Sequence, residues 1–148
     1  MACASVTGWS APAAEVLTTE LEGWLRLALT PGVGDTTARA LLVTFGSPES
    51  IFLQNRAALA AFASPAQVEQ LLAPPDSLDS ALAATRAWLD AAPDSRRVLT
   101  LADTMYPAAL LEVPDPAPMV YAIANPAFWE AGKWPEQALA VVGSRNPT

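Results

Sequence analysis

The chain has 148 residues, 52% of them hydrophobic, so it is long enough for one ordinary domain or two small ones. Fifteen acidic residues outnumber eight basic ones, which gives a net charge of -7. Nucleic-acid binding through bulk electrostatics requires clustered Lys and Arg, and here only Arg96 and Arg97 are adjacent. Any contact with DNA must therefore come from a local site.

The residue types exclude several kinds of chemistry. There is no histidine, which excludes Ser-His and Cys-His catalytic pairs, and the single cysteine, Cys3, excludes an intramolecular disulfide. We interpret Asp103, Glu112 and Asp115 as solvated loop acids, and we predict no enzymatic activity, no metal site and no cofactor. The first residues lack a charged, apolar leader and no apolar run reaches the length of a membrane span, so we expect a cytoplasmic protein without membrane contact.

A flexible tail is predicted at residues 1–18, followed by a helical domain at 19–93. Apolar residues recur at helical spacing over 21–28 and again over 38–45. Local sequence signals predict where the helices begin or end: Asp35, Ser47, Asn55, Ser64 and Asp76 or Ser77 as N-caps, and Gly46 and Pro93 as stops. Because most of these helices are too short to be stable alone, we expect them to pack together.

The pattern changes after Pro93, and residues 94–148 are predicted to begin an α/β unit. Short strands are expected at 97–101, 119–123 and 138–142, with a short helix capped by Asn125 between the last two. The third strand is continuously apolar, which is typical of a strand that is covered on both faces.

The first informative motif is a glycine turn between two helices, Gly32-Val33-Gly34. Such a helix-hairpin-helix pattern allows the backbone to approach a phosphate, because glycine has no Cβ and the next helix presents its N-terminal amides. Asp35 follows the turn and Arg39 is the single basic residue of the motif. Direct DNA binding and a packing or protein-contact role therefore both remain open.

The second motif is Gly143-Ser144-Arg145, which follows the predicted third strand. At the carboxyl end of a strand these residues can bind a phosphate, with the glycine permitting close approach and the arginine making a charge-assisted fork. The dinucleotide fingerprint G-x-G-x-x-G is absent, and a simple surface turn is the alternative interpretation.

Taken in order, these motifs resemble the N-terminal part of the DprA (Smf) DNA-processing family. The resemblance extends over residues 21–148. The matching pieces are PGVG at 31–34, the leucines and FGSPE of 41–49, YP-x-x-L at 106–110, DP at 115–116, VY at 120–121 and AVVGSR-x-PT at 140–148.

The resemblance implies a fold class of α then α/β, in which a SAM-like or helix-hairpin-helix domain is followed by the first strands of a truncated Rossmann-like domain. It implies binding of single-stranded DNA, homodimerisation of the full-length protein, and loading of a RecA-type recombinase during natural transformation. Arg145 matches the arginine of the family's basic DNA-binding pocket, and Gly143 and Ser144 match pocket-forming positions. With Arg39, these are the predicted DNA-binding residues.

The chain also departs from the family pattern. Ala124-Asn125 stands where a glycine usually follows the VY strand, and the glycine turn is less basic than a DNA-binding one. Because the Rossmann-like domain should continue beyond Thr148, we expect the chain to be a piece of a longer protein. Two other functions remain open: a nucleotide-phosphate-binding hydrolase built on the same strand end, and a helical protein-protein interaction module.

Overall fold

The computed structural model describes residues 14–135, which form a helical part followed by a smaller mixed part. The helices of the first part are α1 (Ala14–Leu29), α2 (Asp35–Phe45), α3 (Pro48–Phe52), α4 (Arg56–Leu59), α5 (Pro65–Leu72) and α6 (Leu78–Asp90). The mixed part contains β1 (Arg96–Thr100), α7 (Ala108–Leu111), β2 (Met119–Ile123) and α8 (Pro126–Ala131). This order agrees with the coarse prediction of helices followed by an α/β segment.

Most predicted helix ends are confirmed. Ser47, Asn55 and Ser64 are N-caps whose side-chain oxygens each accept a hydrogen bond from the backbone N–H three residues later. Gly46 ends α2 with a φ of 87°, a conformation that glycine adopts without a steric penalty. Local side-chain chemistry thus sets these boundaries.

Two details of the helical prediction are wrong, and a third is confirmed only in part. Gly34, not Asp35, is the N-cap of α2, so the Asp35 carboxylate lies in the first turn, where the helix dipole favours a negative charge. Ser77 is the N-cap of α6, as one of the two predicted positions, but it makes no side-chain capping bond. Helix α1 begins at Ala14, inside the predicted tail. The residues from 14 to 18 have enough helix propensity to extend α1 in the N-terminal direction.

The helical part shares one core. Its fully buried members come from five different helices: Leu27, Ala38, Leu41, Ile51, Leu59, Val68 and Leu71. Helix α1 packs against α2, α3 and α6, so it buries more than a single stripe. For this reason Leu27 is fully buried, whereas Ala28, which the helical spacing placed on the apolar face, is exposed.

Strands β1 and β2 form an antiparallel pair in which Arg96 lies opposite Ile123 and Thr100 lies opposite Met119. The second strand has its predicted bounds and the first begins and ends one residue earlier than predicted. Doubly wound sheets are mostly parallel, so this pair does not by itself define a Rossmann-like sheet. The predicted third strand at 138–142 lies outside the described residues.

A hydrogen bond joins helix α6 to the sheet. The Thr85 and Tyr121 hydroxyl oxygens lie 2.6 Å apart, and Thr85 is buried. The Trp88 ring meets the Tyr121 ring edge to face, with 5.1 Å between the centroids. These contacts fix the mixed part against the end of the helical part.

We predict that Tyr121→Phe lowers the free energy of unfolding by about 1–2 kcal/mol, because it leaves the buried Thr85 hydroxyl without its partner. The double variant Thr85→Val/Tyr121→Phe removes both polar groups and should recover most of that loss. Urea denaturation of the single and double variants measures the coupling. Additive losses in the double variant would contradict a direct hydrogen bond.

Candidate functional site

The glycine turn between α1 and α2 is closed by its own backbone. The Val33 N–H donates to the Thr30 carbonyl at 3.2 Å, and Gly32 has a φ of 76°, a region that side chains with a Cβ rarely adopt. Thr30 is buried, and its hydroxyl donates to the Arg26 carbonyl at 2.7 Å. The turn therefore has a defined shape at the surface of the core.

Helix α5 holds the turn from the side. The Gln67 Oε1 atom accepts from the Ser64 N–H at 2.7 Å in the capping box, while its Nε2 atom donates to the Gly32 carbonyl at 2.7 Å. The spacing of Ser64 and Gln67 is that of a capping box, a pattern visible in the sequence. The bond to Gly32 has no such signal, because Gly32 and Gln67 are far apart along the chain.

The N-terminal end of α2 has no side-chain cap. Gly34 stands at the N-cap with an extended backbone, and a Cβ added there would meet no atom within 4 Å. An anion approaching this end would meet backbone N–H donors, as in phosphate sites at helix N-termini. The Asp35 carboxylate in the same turn opposes a bound anion, so the site suits a contact with one phosphate better than a multiply charged ligand.

Arg39 has an intramolecular partner. Its Nη1 atom donates to the Pro114 carbonyl at 2.9 Å, and the side chain is exposed. The bond connects α2 to the loop between β1 and β2, a contact that sequence reasoning missed. A guanidinium has five N–H donors, and within the described residues Arg39 makes no other hydrogen bond. It thus remains able to contact a second acceptor.

The same loop contributes a buried tyrosine near the turn. Tyr106 is buried, and its hydroxyl donates to the Ala117 carbonyl at 2.8 Å. Burial raises the pKa of the Tyr106 phenol above its usual value, and the negative charge of Asp35 raises it further. The hydrogen bond from Arg39 to Pro114 therefore holds the loop beside α2, near enough for the charge of Asp35 to act on Tyr106.

A cleft of about 480 Å³ opens between α1, α6 and β1. Three of the chain's eight basic residues line it, namely Arg86, Arg96 and Arg97. Sequence reasoning missed this cleft: the adjacent pair Arg96-Arg97 was its one visible signal, and the fold adds Arg86 from α6. Three acids, Glu20, Asp90 and Asp103, line the same cleft.

One of the three loop acids has a structural role. The Asp103 carboxylate accepts from the Thr100 N–H at 2.6 Å and from its hydroxyl at 2.8 Å, which closes the turn after β1. Glu112 and Asp115 are exposed. Across residues 14–135 no group of three or more His, Cys, Asp or Glu side chains is placed to hold a metal ion. Nor does that part of the chain contain a helix long and apolar enough to cross a membrane.

The other predicted site, Gly143-Ser144-Arg145, lies outside the described residues. Comparisons of the chain with protein-family models, curated proteins and solved structures found no match. Inferences about the function of the chain therefore rest on the sequence motifs and on the geometry of the turn and the cleft.

We predict that Gly32→Ala lowers the free energy of unfolding by about 1–2 kcal/mol, because alanine is strained at a positive φ. Gly34→Ser is the matched control, since that position has an extended backbone and room for a side chain. It should be neutral or stabilise by a few tenths of a kcal/mol by capping α2. Chemical denaturation measures both, and equal losses would contradict the assigned turn geometry.

The raised pKa of Tyr106 predicts a loss of stability in alkaline solution. Folding favours the neutral phenol, so its contribution is complete below the unfolded pKa near 10 and declines as the pH rises through the higher folded pKa. Tyr106→Phe should therefore show a smaller decline in unfolding free energy between pH 9 and about pH 11. Urea denaturation at several pH values tests this, and parallel profiles for the two proteins would refute it.

Proposed function

We propose that the chain belongs to a single-stranded DNA-binding recombination mediator of the DprA (Smf) type, a cytoplasmic, non-enzymatic protein that loads a RecA-type recombinase during natural transformation. The structural observation that carries the proposal is the glycine turn, which leads directly into a helix N-terminus without a side-chain cap. The ordered motifs from PGVG to GSR support the same assignment. Homodimerisation of the full-length protein belongs to the proposal through the family resemblance.

The proposed contact at the turn is with one backbone phosphate. Gly34 lets the strand approach, and the first N–H groups of α2 point out of the helix end toward the anion. Arg39 lies on the same face as Asp35, four residues later, and offsets its charge. Phosphate contacts of this kind position a strand without reading its sequence, as a general DNA-processing protein requires.

Gly143, Ser144 and Arg145 supply the second proposed contact. With a net charge of -7, the chain cannot attract DNA through its overall field, so individual charge-assisted bonds must provide the affinity. Arginine suits this role because its planar fork binds two phosphate oxygens at once.

A protein-contact role for the helical part is the alternative that a structural observation favours. Val43 and Leu53 are 80% and 85% exposed, so two large apolar side chains of the helical part are accessible to a partner. No side chain in the described residues suggests a hydrolytic reaction, so the hydrolase alternative rests on the predicted strand and the motif at residues 141–145 alone.

The deciding experiment is fluorescence anisotropy of labelled oligo-dT at low salt, with the wild-type chain, Gly34→Asp and Gly34→Asn. Aspartate and asparagine both cap a helix, so the two variants keep the fold and differ in one negative charge at the proposed phosphate contact. We expect saturable, salt-sensitive binding that both variants weaken, because each side chain fills the approach and caps the N–H donors of α2, and that Gly34→Asp weakens about tenfold more than Gly34→Asn through its negative charge. Arg145→Ala should weaken binding by a similar factor.

Other outcomes have defined meanings. Equal binding by the Asp and Asn variants, with a loss in Arg145→Ala, would show that the turn does not contact DNA. The proposed contact would then be limited to Gly143, Ser144 and Arg145. No saturable binding by the wild-type chain would contradict the proposal for this chain and favour the protein-contact alternative.

A further inference from the structure

The arginine cleft between α1, α6 and β1 is a second candidate binding site, separate from the glycine turn that joins α1 to α2. Arg86 comes from α6, and Arg96 and Arg97 come from the start of β1. Leu21, Leu89 and Val98 supply apolar wall. Its volume of about 480 Å³ lies within the range of about 300–1,000 Å³ typical of small-molecule sites.

The charges in the cleft are segregated. The three arginines are half-buried, whereas the acids at the cleft, Glu20, Asp90 and Asp103, are exposed. None of these arginines forms an ion pair with an acid: the ion pair found within the described residues joins Arg56 to Glu69, outside the cleft. Guanidinium groups that have no ion-pair partner keep N–H donors available for a bound anion.

Two of the guanidinium groups are already held in position. The Arg96 Nη1 atom donates to the Trp88 carbonyl at 2.8 Å, and the guanidinium lies 5.1 Å from the centroid of the Trp88 ring. Arg97 donates to the carbonyls of Pro93 and Arg96 and lies over the Trp129 ring. Such fixed groups lose little conformational entropy when they bind a ligand.

Arg86 differs from both. It makes no hydrogen bond and no ion pair within the described residues, although it is half-buried at the cleft. All five of its N–H donors are therefore available, and its removal breaks no hydrogen bond or ion pair of the described residues.

We propose that the cleft binds an organic phosphate, either a free nucleotide or one nucleotide of a DNA single strand. The arginine fork matches phosphate oxygens, and the apolar wall accommodates the sugar or base. The exposed acids that line the same cleft equal its arginines in number and disfavour extended polyanions, so the site suits a single phosphate. Thymidine 5′-monophosphate and short oligo-dT both present this chemistry.

The test is a titration followed by backbone amide NMR at low salt, with thymidine 5′-monophosphate, inorganic phosphate, thymidine and oligo-dT as probes. The variant is Arg86→Gln. The matched control is Arg56→Gln, which removes the same charge from an exposed surface pair outside the cleft. Denaturation curves establish that both variants are folded.

We expect thymidine 5′-monophosphate to shift the amides of residues 96–100 and the last turn of α6, with thymidine much weaker. Arg86→Gln should weaken this binding about tenfold, or about 1.4 kcal/mol, because it removes a charge-assisted bond to the phosphate, and Arg56→Gln should not. Binding should persist in Gly34→Asp, which separates this site from the proposed DNA contact at the turn. If oligo-dT alone gives the Arg86-dependent shifts, the phosphate comes from a strand.

The proposal is overturned if none of the phosphate probes shifts these amides at millimolar concentration. It is also overturned if thymidine binds as well as its monophosphate, or if Arg86→Gln and Arg56→Gln weaken binding equally. In the last case the attraction is a property of the overall charge and not of the cleft.

Discussion

The burial of Leu27, Leu41 and Ile51 in one shared core is the constraint on which the rest of the helical part depends. Helices of four to sixteen residues cannot persist separately in water, so each requires the others for its apolar face. Helix α1 is the common partner, since it contacts α2, α3 and α6. Both candidate surfaces follow from this arrangement: the glycine turn begins where α1 ends, and the arginine cleft lies where α1 meets α6.

The helix boundaries were predictable because they depend on neighbours in the chain. A cap such as Ser47 or Asn55 bonds to an amide three residues away, and this relation is visible in the sequence. Asp35 was misplaced by one position, since glycine and aspartate are both good N-caps and the choice depended on the geometry of the turn. The strand 119–123 was equally clear, because prolines precede it and a capped helix follows it.

The long-range contacts were not predictable in the same way. The bonds from Gln67 to Gly32 and from Arg39 to Pro114 join residues that no periodicity connects. The cleft required Arg86 to be brought beside a dipeptide that the sequence showed only as an isolated basic pair. The antiparallel pairing of β1 with β2 could not be predicted from the sequence pattern either, because an apolar run does not specify whether its neighbour is parallel or antiparallel.

The two hydrogen bonds of the Gln67 side chain restrict which residues can replace it. A capping box accepts either glutamate or glutamine, because it needs only a side-chain oxygen. The bond to the Gly32 carbonyl needs a donor as well, and an ionised glutamate has none. Helix α5 alone would thus tolerate either residue, whereas the surface turn selects the amide. A helix start and a loop 35 residues away share one side chain, and neither can vary independently of the other.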